Sequence, residues 1–154
     1  MGSLLTLPTP LKTSAPARPE RSAEAPLILV VDDEVLIGTL LERGLSEGGF
    51  RAIVARNGQE ALKLFAARHE EIALVLLDVR MPGIDGLETL DGLKRIDPDL
   101  RCCFMSGDLG ERTVGQLEAT GALHLFAKPF LLDDLLTTLR RLTGKEESHH
   151  ESHE

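Results

Sequence analysis

Residues 74–86 read LVLLDVRMPGIDG. Four apolar residues, Leu74 to Leu77, run straight into a carboxylate, Asp78, and Met81, Pro82 and Gly83 follow three residues later. A short continuous apolar run bounded by turn formers fits a strand covered on both faces. An acid closing such a run stands where the sheet meets solvent. The earlier run LILVVDDE, residues 27–34, ends the same way on Asp32 and Asp33. Whether those two ends meet depends on what connects them.

The chain between and beyond them alternates. Leu27–Asp32 reads as a strand. Glu34–Glu47 has helical periodicity through Leu36, Ile37, Leu40, Leu41 and Leu45, and Gly48–Gly49 stops it. Phe50–Ala55 is a short strand, and Asn57 with Glu60 opens a helix through Leu62, Leu64 and Phe65. After the strand Ala73–Asp78, Asp85 with Glu88 caps a helix that runs to Ile96, where Asp97-Pro98-Asp99 breaks it. Leu100–Met105 is a strand, residues 110–119 a helix diluted by Gly110 and Gly115, and Ala122–Ala127 a fifth strand. Leu132–Leu142 is the strongest amphipathic helix, with Asp133 and Asp134 early and Arg140 and Arg141 late.

This is βα five times over, which predicts an α/β fold: a single doubly wound (βα)5 domain with a five-stranded parallel sheet and helices on both faces. In such sheets ligands sit beyond the carboxyl ends of the strands. Asp32, Asp33, Asp78, Ser106 and Lys128 all fall at those ends, so the topology gathers three carboxylates, a hydroxyl and an ammonium at one edge.

Composition narrows the functions available. The 154 residues carry a net charge of −8, which argues against a nonspecific grip on nucleic acid. No apolar run approaches the ~20 residues of a membrane helix. There is no signal-peptide core, and Cys102 and Cys103 are adjacent, which suits core thiols in a reducing cytoplasm. Residues 1–26 hold five of the eight prolines and read as a disordered leader. The domain is expected over 27–143, with 144–154 a solvated acidic, His-containing tail.

Three carboxylates at short range repel unless a cation intervenes. All-oxygen ligands without a Cys or His cluster select Mg²⁺, or Mn²⁺, over zinc. A cation site beside a lysine, a hydroxyl and a free carboxylate suits phosphoryl transfer, with Asp78 as nucleophile, Lys128 neutralising phosphoryl oxygens and Ser106 hydrogen-bonding one of them. No GxxxxGK[ST] loop or glycine-rich dinucleotide fingerprint is present. Taken singly, each residue has an ordinary alternative. Asp33 or Ser106 would serve as a helix cap, Lys128 as a surface lysine, and MPGIDG as a turn.

The motifs VVDDE (30–34), LLDVRMPGIDG (76–86), MSG (105–107) and FAKPF (126–130), in that order, resemble the receiver domain of bacterial two-component response regulators. The resemblance covers residues 27–143 and implies the flavodoxin-like strand order 2-1-3-4-5. It implies that Asp78 is the phosphoacceptor and that Asp32, Asp33 and Asp78 serve the metal with the main-chain carbonyl of Arg80. It makes Ser106 the switch hydroxyl and Lys128 the partner lysine, with a cis Lys128–Pro129 bond. Arg80 and Asp108 would flank the phosphoryl group and gate water. In many receivers an aromatic stands three residues before the lysine. Here that switch position is Leu125, and Phe126 beside it faces the other way on a strand.

The resemblance also implies a cytoplasmic stand-alone receiver, since few residues follow the fifth helix. It would take phosphate from a sensor histidine kinase or phosphotransfer protein. It would signal to a downstream protein through the fourth helix, fifth strand and fifth helix, a homodimer being compatible with this. It would not be an enzyme beyond self-phosphorylation and slow autodephosphorylation. A phosphorelay intermediate or a module of a hybrid histidine kinase is the alternative. An aspartyl-nucleophile phosphatase fits less well, because Arg80 stands where such enzymes place a second acid.

Overall fold

The computed structural model describes residues 24–107 and 110–144. Ten elements alternate: β1 (Leu27–Val31), α1 (Val35–Glu47), β2 (Arg51–Ala55), α2 (Gly58–Arg68), β3 (Ile72–Asp78), α3 (Gly86–Ile96), β4 (Cys102–Ser106), α4 (Glu111–Glu118), β5 (His124–Ala127) and α5 (Leu132–Thr143). The strands form one parallel sheet in the order β2-β1-β3-β4-β5. Every residue of β1 is buried, as are the last five of β3 and all of β4, so unbroken apolar runs are the sequence form these positions require.

Alternation along the strands splits the core in two. Ile28, Val30, Leu74, Leu76, Cys103, Met105 and Phe126 pack with Leu41 and Leu45 of α1 and Leu135, Leu136 and Leu139 of α5. Leu29, Val31, Val75, Leu77, Cys102 and Phe104 pack with Ala61 and Phe65 of α2, Leu90 and Leu93 of α3 and Leu117 of α4. Cys102 and Cys103 fall into opposite layers as free thiols, both pushed upward in pKa by burial. Leu125 joins the α2–α3–α4 layer and Phe126 the other, as the strand period requires.

The helix caps divide the expectations. Asp85 and Glu88 form a complete capping box at α3. At α2, Asn57 accepts from the Glu60 amide, but the Glu60 carboxylate accepts from the amide of Arg56 instead of closing the box on Asn57. The cap of α1 falls on Glu34 rather than Asp33, and α4 begins after Gly110 rather than on Ser106.

The largest departure is at α1. Its apolar stripe is wider than the core. Gly38, Leu41, Gly44 and Leu45 face inward, because a Cβ at Gly44 would stand 2.7 Å from the Leu132 side chain of α5. That close approach turns Val35, Leu36 and Leu40 outward, each more than half exposed. Periodicity shows that a stripe exists but not which edge of it is covered. No helix among the described residues is long and apolar enough to cross a membrane.

Candidate functional site

The register brings the strand ends level. Val31 lies opposite Leu77, Asp78 opposite Met105, and Ser106 opposite Ala127. Main-chain hydrogen bonds carry the pairing one step past the strands: Asp32 N–H to Ala55 O at 3.0 Å, Val79 N–H to Met105 O at 3.0 Å, and Lys128 N–H to Ser106 O at 2.8 Å. Backbone pairing therefore holds Asp32, Asp78 and Lys128 in place before their side chains interact. The Lys128–Pro129 bond is cis.

The Lys128 ammonium lies between two buried carboxylates. It donates to Asp32 Oδ2 at 3.1 Å and to Asp78 Oδ2 at 3.2 Å. Glu34 Oε1 is 3.7 Å away on the solvent side. Asp32 Oδ1 accepts from the Glu34 amide at 2.9 Å, and Asp78 Oδ1 accepts a longer bond, 3.4 Å, from the Arg80 amide. Asp32 is fully buried, Asp78 and Ser106 nearly so, and Asp33 is half-buried. Carboxylate oxygens of Asp32, Asp33 and Asp78 lie within 4.8 Å of one another. An open cleft of about 430 Å³ above them is lined by Asp33, Glu34, Asp78, Arg80, Gly107 and Lys128.

One ammonium does not balance three carboxylates. Burial, then the charge of Asp32, push Asp78 up to about 6, although Lys128 and the Arg80 amide pull the other way. Burial works against the Lys128 ammonium, but the charges of Asp78 and Asp32 outweigh it and its pKa ends above the ordinary value. The donor set is all oxygen and its charge is in excess, which fits a hard divalent cation.

The loop after β3 is clamped to the end of that strand. Gly86 N–H donates to Val79 O at 2.8 Å. A Cβ at Gly86 would come within 2.6 Å of the carbonyl oxygen of Asp78. Only glycine lets α3 begin this close to the strand end.

Asp32, Asp33, Asp78, Ser106, Arg80 and Lys128, all singled out in the sequence, come together at this edge. Asp108 lies outside the described residues. Glu34 and Gly107 line the cleft without having been foreseen. The third acid of DDE was the available signal for Glu34. Also unforeseen is an apolar groove of about 490 Å³ that shares Lys128 with the cleft and is lined by Ile37, Leu40, Leu41, Pro129, Phe130 and Leu132.

The response regulator receiver domain family model matches residues 28–140. Sporulation initiation phosphotransferase F of Bacillus subtilis (strain 168) is 34% identical over 114 residues, 74% of this chain and 90% of that protein. Transcriptional regulatory protein PrrA of Mycobacterium tuberculosis is 35% identical over 126 residues, 80% of this chain but 52% of PrrA, so the chain spans about half of that relative. Response regulator TrrA of Thermotoga maritima, solved in complex with Mg²⁺–BeF, superposes with a TM-score of 0.68 at 34% identity, covering 76% of this chain and 98% of TrrA. The chain belongs to the response regulator receiver domain family of two-component systems. Receiver domains act in signalling.

Proposed function

We propose that residues 27–143 form a receiver whose phosphoacceptor is Asp78, fed by a sensor histidine kinase or a phosphotransfer protein and acting by phosphorylation-dependent protein contact. The observation that carries this reading is the Lys128 ammonium bonded at once to two buried carboxylates, Asp32 and Asp78, at the floor of an open cleft.

A carboxylate oxygen of Asp78 attacks the phosphorus of a phosphohistidine. The P–N bond breaks, its electron pair stays on the imidazole, and an acyl phosphate forms on Asp78. Lys128 follows the negative charge onto the phosphoryl oxygens, and the Ser106 hydroxyl donates to one of them. Asp32, Asp33 and Asp78, with the main-chain carbonyl of Arg80, are the residues to hold Mg²⁺ or Mn²⁺, which when bound neutralises phosphoryl charge. Arg80 and Asp108 are assigned to gating water at the product. The partner face is α4, β5 and α5, and Leu125 is the switch position. The donor protein covers the groove beside Lys128, where Leu40 and Leu132 are exposed. A cytoplasmic, stand-alone protein is the simplest setting for this chemistry, and a relay stage or hybrid-kinase module uses the same residues.

The test is transfer of label from ³²P-acetyl phosphate in Mg²⁺ buffer. Wild type is expected to take acid-stable, hydroxylamine-labile label, and Asp78→Asn to fold normally and take none. Equal labelling of the variant overturns the assignment.

A further inference from the structure

Helix α4 is fastened by a neighbour. It has eight residues, its N-cap position is Gly110, and its last turn holds no basic residue. Gly115 sits within it, exposed, and apart from its chain neighbours and its own helix backbone no atom of the described residues lies within 4 Å of where a Cβ would stand. Leu117 is its buried apolar residue among those described. A helix this short with an internal glycine does not hold itself in water.

Its C-terminal end is secured from α3. Lys94, in the last turn of α3, donates from Nζ to the main-chain carbonyl of Thr120 at 2.6 Å. The Thr120 hydroxyl donates to Leu117 O at 2.6 Å and accepts from the Ala122 amide at 3.1 Å. The ammonium thus stands at the negative end of the α4 dipole and bonds to the turn that leads into β5. Helices α2, α3 and α5 carry a basic residue in their own last turn. Helix α1 does not, and Arg140 of α5 reaches its Gly48 carbonyl at 3.2 Å. Leu136 packs closely there, 2.6 Å from where a Cβ of Gly48 would stand. At the α4 end a Cβ at Gly121 would meet nothing within 4 Å among the described residues.

We propose that the Lys94–Thr120 contact sets whether α4 is ordered, and so sets the threshold at which the α4–β5–α5 face is displayed to a partner. The partner consequence rests on the receiver reading, while the clamp itself does not. Leu125 packs in the same layer as Leu117 and has no ring to rotate, so helix order is what α4 can report. Lys94 is a regulatory residue in this scheme and touches nothing in the cleft.

Hydrogen exchange on the full chain in Mg²⁺ buffer, with and without beryllofluoride as a tetrahedral phosphoryl mimic, tests this. In Lys94→Met, peptides over residues 111–119 are expected to exchange about fivefold faster, the effect of losing one charged bond at a helix end, with residues 132–143 unchanged. Lys94→Arg is expected to restore the wild-type rate, and Gly115→Ala to slow it. Beryllofluoride is expected to slow 111–119 in wild type, and by a larger factor in Lys94→Met. Unchanged exchange of 111–119 in Lys94→Met overturns the clamp, as does an equal acceleration of 132–143, which makes Lys94 a general stabiliser. Exchange that ignores beryllofluoride in both proteins separates α4 from the site and overturns the threshold. Labelling of Asp78 by acetyl phosphate is expected to match wild type in Lys94→Met. Absence of label in both proteins counts against the receiver reading and leaves the clamp result standing.

Discussion

Two segments leave the middle of the sheet toward the same edge, and they are held very differently. After β3, Gly86 bonds back to Val79 and sits against the Asp78 carbonyl, Asp85 and Glu88 close a capping box, and the Thr89 hydroxyl donates to Asp85 O at 2.7 Å. After β4, a Cβ at Gly107 would meet nothing within 4 Å among the described residues, α4 starts after a glycine N-cap, and the turn at its far end accepts a bond from Lys94 of α3. On the proposed function, the first segment positions the acceptor Asp78 and the second responds to it. A phosphoryl site needs both. Its reacting groups must be preorganised, which a fixed backbone supplies. A signal needs an element whose stability lies near the balance point.

The fixed segment holds an unfavourable charge arrangement, and neutralising it should give the largest effect. Asp78 is raised from its ordinary 3.8 to about 6, first by burial and then by Asp32. The native state therefore binds this proton more tightly than the unfolded chain does. Stability from this group is fully present below about pH 3.8 and is lost as pH rises through about 6. Above that, the full penalty, at most about 3 kcal/mol, remains. Asp78→Asn removes it and leaves Lys128 paired with Asp32. In urea denaturation with EDTA at pH 7.5 the variant should be more stable than wild type. Its advantage should shrink toward pH 4, and Mg²⁺ should narrow it at pH 7.5 by stabilising wild type alone. A variant less stable than wild type at pH 7.5 would show that the Lys128–Asp78 pair outweighs the repulsion.

A somewhat smaller loss is expected where the fixed segment is tightest. Gly86→Ala forces a methyl group against the Asp78 carbonyl and the Val79 main chain. Overpacking of this kind costs about 1–3 kcal/mol. Because the displaced backbone is that of Asp78, acetyl phosphate labelling should slow even where the protein stays folded. Normal labelling in a folded Gly86→Ala would mean that the β3–α3 junction is not what positions the carboxylate.

Much of this contrast was legible in the amino-acid sequence. Apolar runs ending on Asp32 and Asp78 revealed buried parallel strands because burial on both faces removes the polar alternation. The carboxylates could be placed together because parallel strands share one carboxyl edge. The glycines of α4 marked it as weak through propensity alone. What stayed hidden depended on tertiary contact. That Leu36 and Leu40 would surface while Leu41 and Leu45 are buried depends on how closely α5 approaches Gly44. That Glu34 would reach Lys128 follows from the helix starting one residue later than the acids suggested. The bond from Lys94 to Thr120 crosses 26 positions and leaves no periodic trace.

The smallest expected effect locates the weakness of α4. Two glycines were read as diluting it, but the structure gives them different jobs. Gly110 is the N-cap, with φ −60° and ψ 153°, extended backbone open to any residue. Glycine is itself a fair N-cap, so Gly110→Ser should gain only a few tenths of a kcal/mol. Gly115 lies inside the helix, where Ala is better by up to ~1 kcal/mol and the added methyl group meets open space. Local exchange over residues 111–119 should therefore slow clearly in Gly115→Ala and barely in Gly110→Ser. Global urea midpoints should move little in either, because a segment that opens on its own contributes mainly to its own protection. If Gly110→Ser slowed exchange as much as Gly115→Ala, the start of α4 would be its weak point. The contrast between the two segments would then reduce to how each helix is begun, one by a capping box and the other by a glycine.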